Sequence, residues 1–343
     1  MYGTMGGRDH TRRRGTADRE PTAGTFKTPA ARAGSFAGMN QNTSEAGTVL
    51  ERAATFLWTS GRVLEQRRFE VLFGGADGAG LVAALSAYRT GDGGFAYGLE
   101  PDLRGPESQP LTVAAALAVL EDAGAPAVPM VTRALDWLGS VTGPDGGAPA
   151  VLPTLASYPH PPFMPIEPAP SGTLLATGQI LGPVLRAGLD HPWIKGAAEF
   201  TRTAVEALDQ THPYDVHAAV VFLDAAPDRG WAREQSDRIG ALVREQRIVL
   251  LDPARPEDAV IAPGYAPGEY HLPHDYAPHP DSVARAWFSD EEMDRSLDYL
   301  VATRETDGGW PVTWAKWSAA TEFEARPGVT IKALRTLRAY GRV

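Results

Sequence analysis

The 343-residue chain is 43% hydrophobic and 22% charged, the balance of a globular protein that can bury a large core. Its formal net charge of −10 excludes a general nucleic-acid binder, which needs concentrated positive charge. The absence of cysteine excludes disulfides, thiolate catalysis and cysteine-ligated zinc, and no apolar run reaches the roughly 18–20 residues of a membrane helix.

In chain order, residues 1–43 come first and differ from the rest. They are basic, rich in Gly, Thr and Ala, and lack hydrophobic periodicity, so they are expected to be a disordered tail, with Met39 an alternative first residue. The run "TRRRG" is followed by no apolar segment and does not read as an export signal, which points to a cytoplasmic location. Peripheral contact of the basic tail with anionic lipid stays open. Residues 44–343 are expected to form one domain.

Three short stretches then repeat: "GDGGFAYG" at Gly91–Gly98, "PDGGAPAV" at Pro144–Val151 and "TDGGWPVT" at Thr306–Thr313. Asp92 and Asp145 lie 53 residues apart, and Asp145 and Asp307 lie 162 apart, so a period of about 54 fits both gaps. Two degenerate copies are expected between them, near Glu199–Gln210 and near Asp252. In such a turn Asp satisfies nearby N–H groups, Gly tolerates positive φ, and a following aromatic wedges between helices.

The first copy leads into "YGLEPDLRGPESQP" (Tyr97–Pro110), and an apolar helix follows at 111–120, "LTVAAALAVL". Ser108 or Thr112 is expected to cap that helix, with Pro110 at an early helical position. Glu100, Asp102, Arg104 and Glu107 are thereby placed near the positive end of a helix dipole. Glu100 and Asp102, two residues apart, can share one proton while Arg104 holds the other group anionic. Burial beside like charge raises a carboxyl pKa. Tyr97, Arg104 and Ser108 are read as substrate contacts.

Further along, 171–185 and 216–223 are apolar on every side and predict buried helices. Between and after them the pattern is two-faced. Trp193, Ala197, Phe200, Ala204 and Leu208 share one face, as do Ile239, Leu242 and Val243. Strand signals are confined to short runs such as "RIVLL" at 247–251. Each period thus holds one buried and one amphipathic helix, and the fold class is all-α.

Two histidine clusters follow. "HPYDVH" supplies Asp215 and His217, read as substrate contacts; "YHLPHDYAPHPDS" supplies His274 and Asp275, read as general acid or base groups. Their spacing matches no metal motif, and no metal ligand is assigned. Trp314 and Trp317, in the loop before the last helix, are read as lining a cavity mouth; aromatic faces stabilise cations and stack on sugar rings.

"TRETDGGWPVTW" and "YRTGDGGFAYG…PLTVAAALAVL" resemble the repeats of the terpenoid cyclase and protein prenyltransferase superfamily, where a Gly-Gly-aromatic turn precedes an inner barrel helix. The resemblance covers roughly residues 45–343 and implies an (α/α)6 toroid whose inner helices enclose an apolar cavity, rimmed by the loops entering their N-termini. It also implies acid-initiated carbocation chemistry on an isoprenoid, a prenyl diphosphate or polyprene. Asp102 would be the proton donor, Glu100 its partner and Arg104 a diphosphate contact, with magnesium accompanying a diphosphate substrate. The chain departs from the family pattern in lacking Asp-x-Asp-Asp and DDxxD motifs, "EPDL" being the nearest form. Other functions compatible with the residues are a carbohydrate-active (α/α)6 enzyme, pairing Glu100 or Asp102 with Asp215 or Asp275, and a non-catalytic binding module.

Overall fold

The computed structural model describes residues 43–126 and 128–343; the expected tail and Met39 lie outside the described residues apart from Thr43, which opens the first helix. Among the described residues the chain is all-α. Twelve α-helices follow one another: α1 (Thr43–Ser60), α2 (Val63–Gly74), α3 (Ala79–Leu85), α4 (Pro110–Asp122), α5 (Pro129–Val141), α6 (Leu174–Arg186), α7 (Pro192–Glu206), α8 (Pro213–Ala225), α9 (Arg229–Glu245), α10 (Pro273–Tyr276), α11 (Asp290–Ala302) and α12 (Ala319–Ala339). The "RIVLL" run forms no strand. Arg247 turns the chain with φ +56°, and the backbone N–H of Leu250 then donates to the His271 carbonyl at 2.8 Å, tying a loop to a loop.

The two kinds of helix follow from their patterns. In α4, Val113, Ala114, Ala116, Leu117, Val119 and Leu120 are buried and leave no polar face. In α7, by contrast, Trp193, Ala197, Thr201 and Val205 are buried while the residues between them are not. Besides packing on their neighbours in sequence, alternate helices pack on one another: α2 on α4, α4 on α6, α6 on α8 and α8 on α10. The two-faced α5 packs on α7 in the same way, and α12 packs on both α1 and α2. The α6–α8 approach is close because Gly178 and Gly182 lack side chains. A Cβ there would meet the carbonyl oxygens of Ala218 and Val221 at 2.7 and 2.6 Å.

The three Asp-Gly-Gly turns have one geometry. Asp92, Asp145 and Asp307 each accept, through Oδ1, the N–H of the residue two further on, all at 3.0 Å. The first glycine of each has φ near +90°: +103° at Gly93, +87° at Gly146 and +95° at Gly308. Each of these glycines abuts a helix backbone, at the carbonyls of Arg133 on α5, Gly196 on α7 and Arg52 on α1, with no room for a Cβ. The next side chain but one, Phe95, Ala148 or Trp310, is buried. Trp310 also donates its indole N–H to the Leu300 carbonyl at 2.7 Å. Of the two degenerate copies, one falls on the end of α7 and the turn into α8. The other keeps the aspartate contact: Asp252 Oδ1 accepts from Ala254 N at 3.0 Å.

Candidate functional site

The segments that lead into α2, α4, α8, α10 and α12 meet at one place. Arg62, the residue before α2, donates to the Gly98 carbonyl at 2.6 Å and to Glu65 in its own first turn. Trp317, before α12, donates its indole N–H to Asp102 Oδ1 at 2.6 Å. Arg104 donates to Glu324 on α12 at 2.9 Å. His217 on α8 meets His271, before α10, Nε2 to Nδ1 at 2.9 Å. The loop 262–270 joins the group through the Tyr265 hydroxyl, 2.9 Å from His271 Nε2.

Glu100 is at the centre. Two prolines stiffen the loop that carries it, Pro101 and Pro106, and Glu100 Oε1 accepts the backbone N–H of Asp102 at 3.2 Å. Glu100 is part-buried, with protein crowding its carboxyl on nearly every side. Burial, helped by the neighbouring Asp102 charge, pushes its carboxyl up to about 7. Asp102 is also raised by burial, but the Trp317 indole stabilises its charged form and Arg104 lies near it. The pair is therefore split by environment, one carboxyl poised near neutrality and the other more readily ionised.

The remaining walls are polar. Tyr214, in the first turn of α8, is pushed up to about 12 by burial and by Glu269, and the charges of Asp102 and Glu100 reach it as well. The Tyr265 and Tyr214 rings lie 5.4 Å apart. Burial holds His271 down to about 4 and keeps His217 well below the ordinary imidazole range, so both imidazoles are neutral at pH 7. Glu269 is buried, accepts the Ala266 N–H at 2.9 Å and is raised by burial.

Several residues singled out by sequence occupy different roles. Ser108 is buried, its hydroxyl 2.7 Å from Asp92 and 2.6 Å from Thr90; it braces the first Asp-Gly-Gly turn and is not free to touch substrate. Neither it nor Thr112 caps α4. Gln109 is the N-cap residue and makes no side-chain cap, its amide tying Leu152 and Thr154 instead, while Pro110 opens the helix. Arg104 does not clamp Asp102 but pairs with Glu324, a residue 220 positions away. His274 is buried and turned onto α11, where Ser296 Oγ meets its Nδ1 at 2.6 Å. The histidine that joins α8 and the 262–270 loop is His271. Asp275 caps α10 by accepting the Leu272 N–H at 3.0 Å and pairs with Lys332 of α12 at 3.2 Å. Burial pushes Asp275 up, but Lys332 and the nearby imidazoles outweigh that and hold its carboxyl well below the usual range.

Asp215 is part-buried beside His212 and raised by burial, and Tyr97 is exposed with φ +61°. Trp317 donates to Asp102, and Trp314 lies three residues before it in the same loop. Among the described residues, no three His, Asp or Glu side chains are arranged to hold a metal ion. Sequence reasoning missed Arg62, Tyr214, Tyr265, Glu269 and Glu324. The signal available for Tyr265 and Glu269 was a Pro- and Gly-rich loop carrying a tyrosine and an acid, "APGYAPGE".

No family model matches the chain, and no curated protein matches its sequence. A solved structure described as a protein from Actinoplanes is similar in fold, with a TM-score of 0.54 and 16% identity over 86% of this chain and 99% of that one.

Proposed function

We propose that the twelve helices pair as six hairpins closed into an (α/α)6 toroid, and that its crevice is the active site of an enzyme that uses Glu100 as general acid on a polar, hydroxylated substrate, with carbohydrate the favoured class. The ring reading is supported by the succession of packed helices, α12–α2–α4–α6–α8–α10, and by the Lys332–Asp275 ion pair linking α10 back to α12. It agrees with the resemblance to the terpenoid cyclase and prenyltransferase repeats. The observation that carries the function is a carboxyl raised to about 7 among tyrosine, histidine, arginine and indole groups. A carboxylic acid of that strength suits proton transfer to an oxygen leaving group near neutral pH, the role glycoside cleavage asks of its acid. Asp102, kept more ionised by Trp317, is the complementary charge.

A second reading, acid-initiated chemistry on an isoprenoid, is favoured by one observation: the indole of Trp317 on Asp102, with Trp314 in the same loop, which would shield a carbocation. Protonating an alkene needs a far stronger acid than one near 7, so this reading is the weaker. One screen separates them. The protein and its Glu100→Gln variant are incubated with a panel of glycosides and, in parallel, with prenyl diphosphates. The proposal expects turnover of a glycoside that falls by about 10²-fold or more in Glu100→Gln. Products from a prenyl diphosphate alone would transfer the case to the second reading, and equal rates in both proteins would remove Glu100 from the chemistry.

A further inference from the structure

We propose that Arg62 positions Glu100 for proton transfer by clamping the backbone of its loop from the entrance of α2; the proposal rests on the acid reading above. One guanidinium serves two groups. Its Nε and Nη2 donate to the Glu65 carboxylate at 3.1 and 2.6 Å, and Glu65 is buried in the first turn of α2. Its Nη1 donates to the Gly98 carbonyl at 2.6 Å, and Nη2 also reaches the Leu99 carbonyl at 3.4 Å. Those carbonyls belong to the two residues directly before Glu100. The planar fork of arginine lets one side chain hold a carboxylate on one edge and two carbonyls on another. The Tyr88 ring supports the guanidinium from 5.5 Å, and Glu324 lies 3.6 Å from Nη1. The Glu65 pair alone would serve the helix entrance. The reach to Gly98, 36 positions away, serves the Glu100 loop.

The clamped segment is strained. Tyr97 has φ +61°, left-handed for a residue with a side chain, and Gly98 follows at +69°. A side-chain-bearing residue keeps such a conformation only where its surroundings impose it, and such residues gather at functional sites. Beyond the clamp, the Leu99 side chain is buried in the core and Pro101 restricts the backbone of Glu100 itself. Between clamp and proline, Glu100 has only its own side-chain rotamers left to choose from, and the Asp102 N–H on Oε1 at 3.2 Å selects among them. Arg62 bonds to the loop backbone and not to the Glu100 carboxyl, so it acts through Glu100 and is a positioning residue.

Arg62→Lys separates the two roles. Lysine keeps the positive charge and, as a single point of donors, pairs with the buried Glu65 carboxylate, but it cannot also span to the Gly98 and Leu99 carbonyls. The loop then loses its hold while the helix entrance and the local charge stay. Opened toward water, the Glu100 carboxyl should return from about 7 toward its ordinary 4.5. Loss of charge would act the other way, because the Arg62 charge favours the ionised carboxylate. A fall in the Glu100 midpoint therefore reports position and not charge.

The full chain tests this. Titration of Glu100 by 13C NMR should give a midpoint near 7 in wild type and one lower by about one pH unit or more in Arg62→Lys. The titration needs no substrate, so it decides even where the screen finds none. On a glycoside that is turned over, Arg62→Lys should lower kcat about 10-fold or more with KM little changed, and should move the basic limb of the pH profile down with the midpoint. Arg67→Gln, which breaks an exposed pair with Glu70 on the same helix, should leave all of these unchanged. If the lysine variant does not fold, wild type answers alone: a clamped fork gives separate 15N resonances for the two Nη of Arg62, and one averaged resonance overturns the clamp. A Glu100 midpoint that stays near 7 in Arg62→Lys, or an unchanged kcat, also overturns it and leaves the acid reading standing. A wild-type midpoint near 4.5 removes the acid reading itself.

Discussion

Replacing Glu100 by Gln should make the protein more stable, and the pH at which it does so is the informative part. The carboxyl is raised from an ordinary 4.5 to about 7, chiefly by burial and then by Asp102. A carboxyl with a raised folded-state pKa carries no penalty at low pH, where it is protonated in both states. As pH climbs past 4.5 the unfolded chain ionises first, and the cost grows until the folded group ionises too. Each tenfold change in proton affinity is worth about 1.4 kcal/mol, so the full difference is about 3 kcal/mol, an upper figure because the side chain keeps some contact with solvent. Gln has the same shape, cannot ionise, and can still accept the Asp102 N–H. Urea unfolding of wild type and Glu100→Gln at a series of pH values should therefore give equal stability near pH 4, with a gap opening in favour of the variant up to about pH 7. A gap that is flat with pH, or a variant less stable than wild type throughout, would refute the assignment of Glu100 as a strained, proton-retaining acid.

Gly308→Ala should cost about 2 kcal/mol or more, because φ of +95° is strained for any L side chain and the new Cβ collides with the Arg52 carbonyl, whereas Gly91→Ala meets nothing within 4 Å and should cost much less; equal unfolding midpoints would show that the turn does not lock α1 in place. Trp317→Phe removes the indole N–H that favours the charged form of Asp102, so the Asp102 pKa should rise further, read by 13C NMR titration, and an unmoved midpoint would mean that the hydrogen bond is not maintained. Lys332→Met leaves the part-buried Asp275 charge with one partner fewer; its depressed pKa contributes stability that is present above the ordinary carboxylate range and lost as pH falls below that range toward the folded-state value, so the variant should lose about 1 kcal/mol at pH 7 and nothing in strong acid, again by urea unfolding.

How much of this was legible in the sequence depended on the range of the interaction. The Asp-Gly-Gly turns are local, since aspartate, positive-φ glycine and wedge residue all lie within four positions, so the repeat could be read directly and three copies share one geometry. Helices apolar on every side, such as 111–120, announced that they would be buried among other helices. The Glu100–Asp102 hook was visible as two acids on a proline-stiffened loop. Its partners were not, because Arg62 arrives from 38 positions before Glu100, and Glu324 from 220 positions after Arg104. Nothing local to the Arg104 segment could say that its guanidinium would turn to α12 instead of to Asp102. The choice between His271 and His274 was hidden for a related reason. They are three residues apart, but His271 precedes the single turn of α10 while His274 lies within it, and the turn rotates one toward α8 and the other onto Ser296 of α11. Ser108 misled because a serine near a helix entrance reads as a cap, and here the Asp92 carboxylate had the stronger claim on its hydroxyl.

The most direct test of the account is the titration of the Glu100 carboxyl itself, followed by 13C NMR on protein labelled at glutamate, with Glu100→Gln identifying the resonance. A midpoint near 7 is the predicted result. A midpoint near 4.5 would mean an ordinary, solvated carboxylate, and the crevice would then hold no acid poised for catalysis.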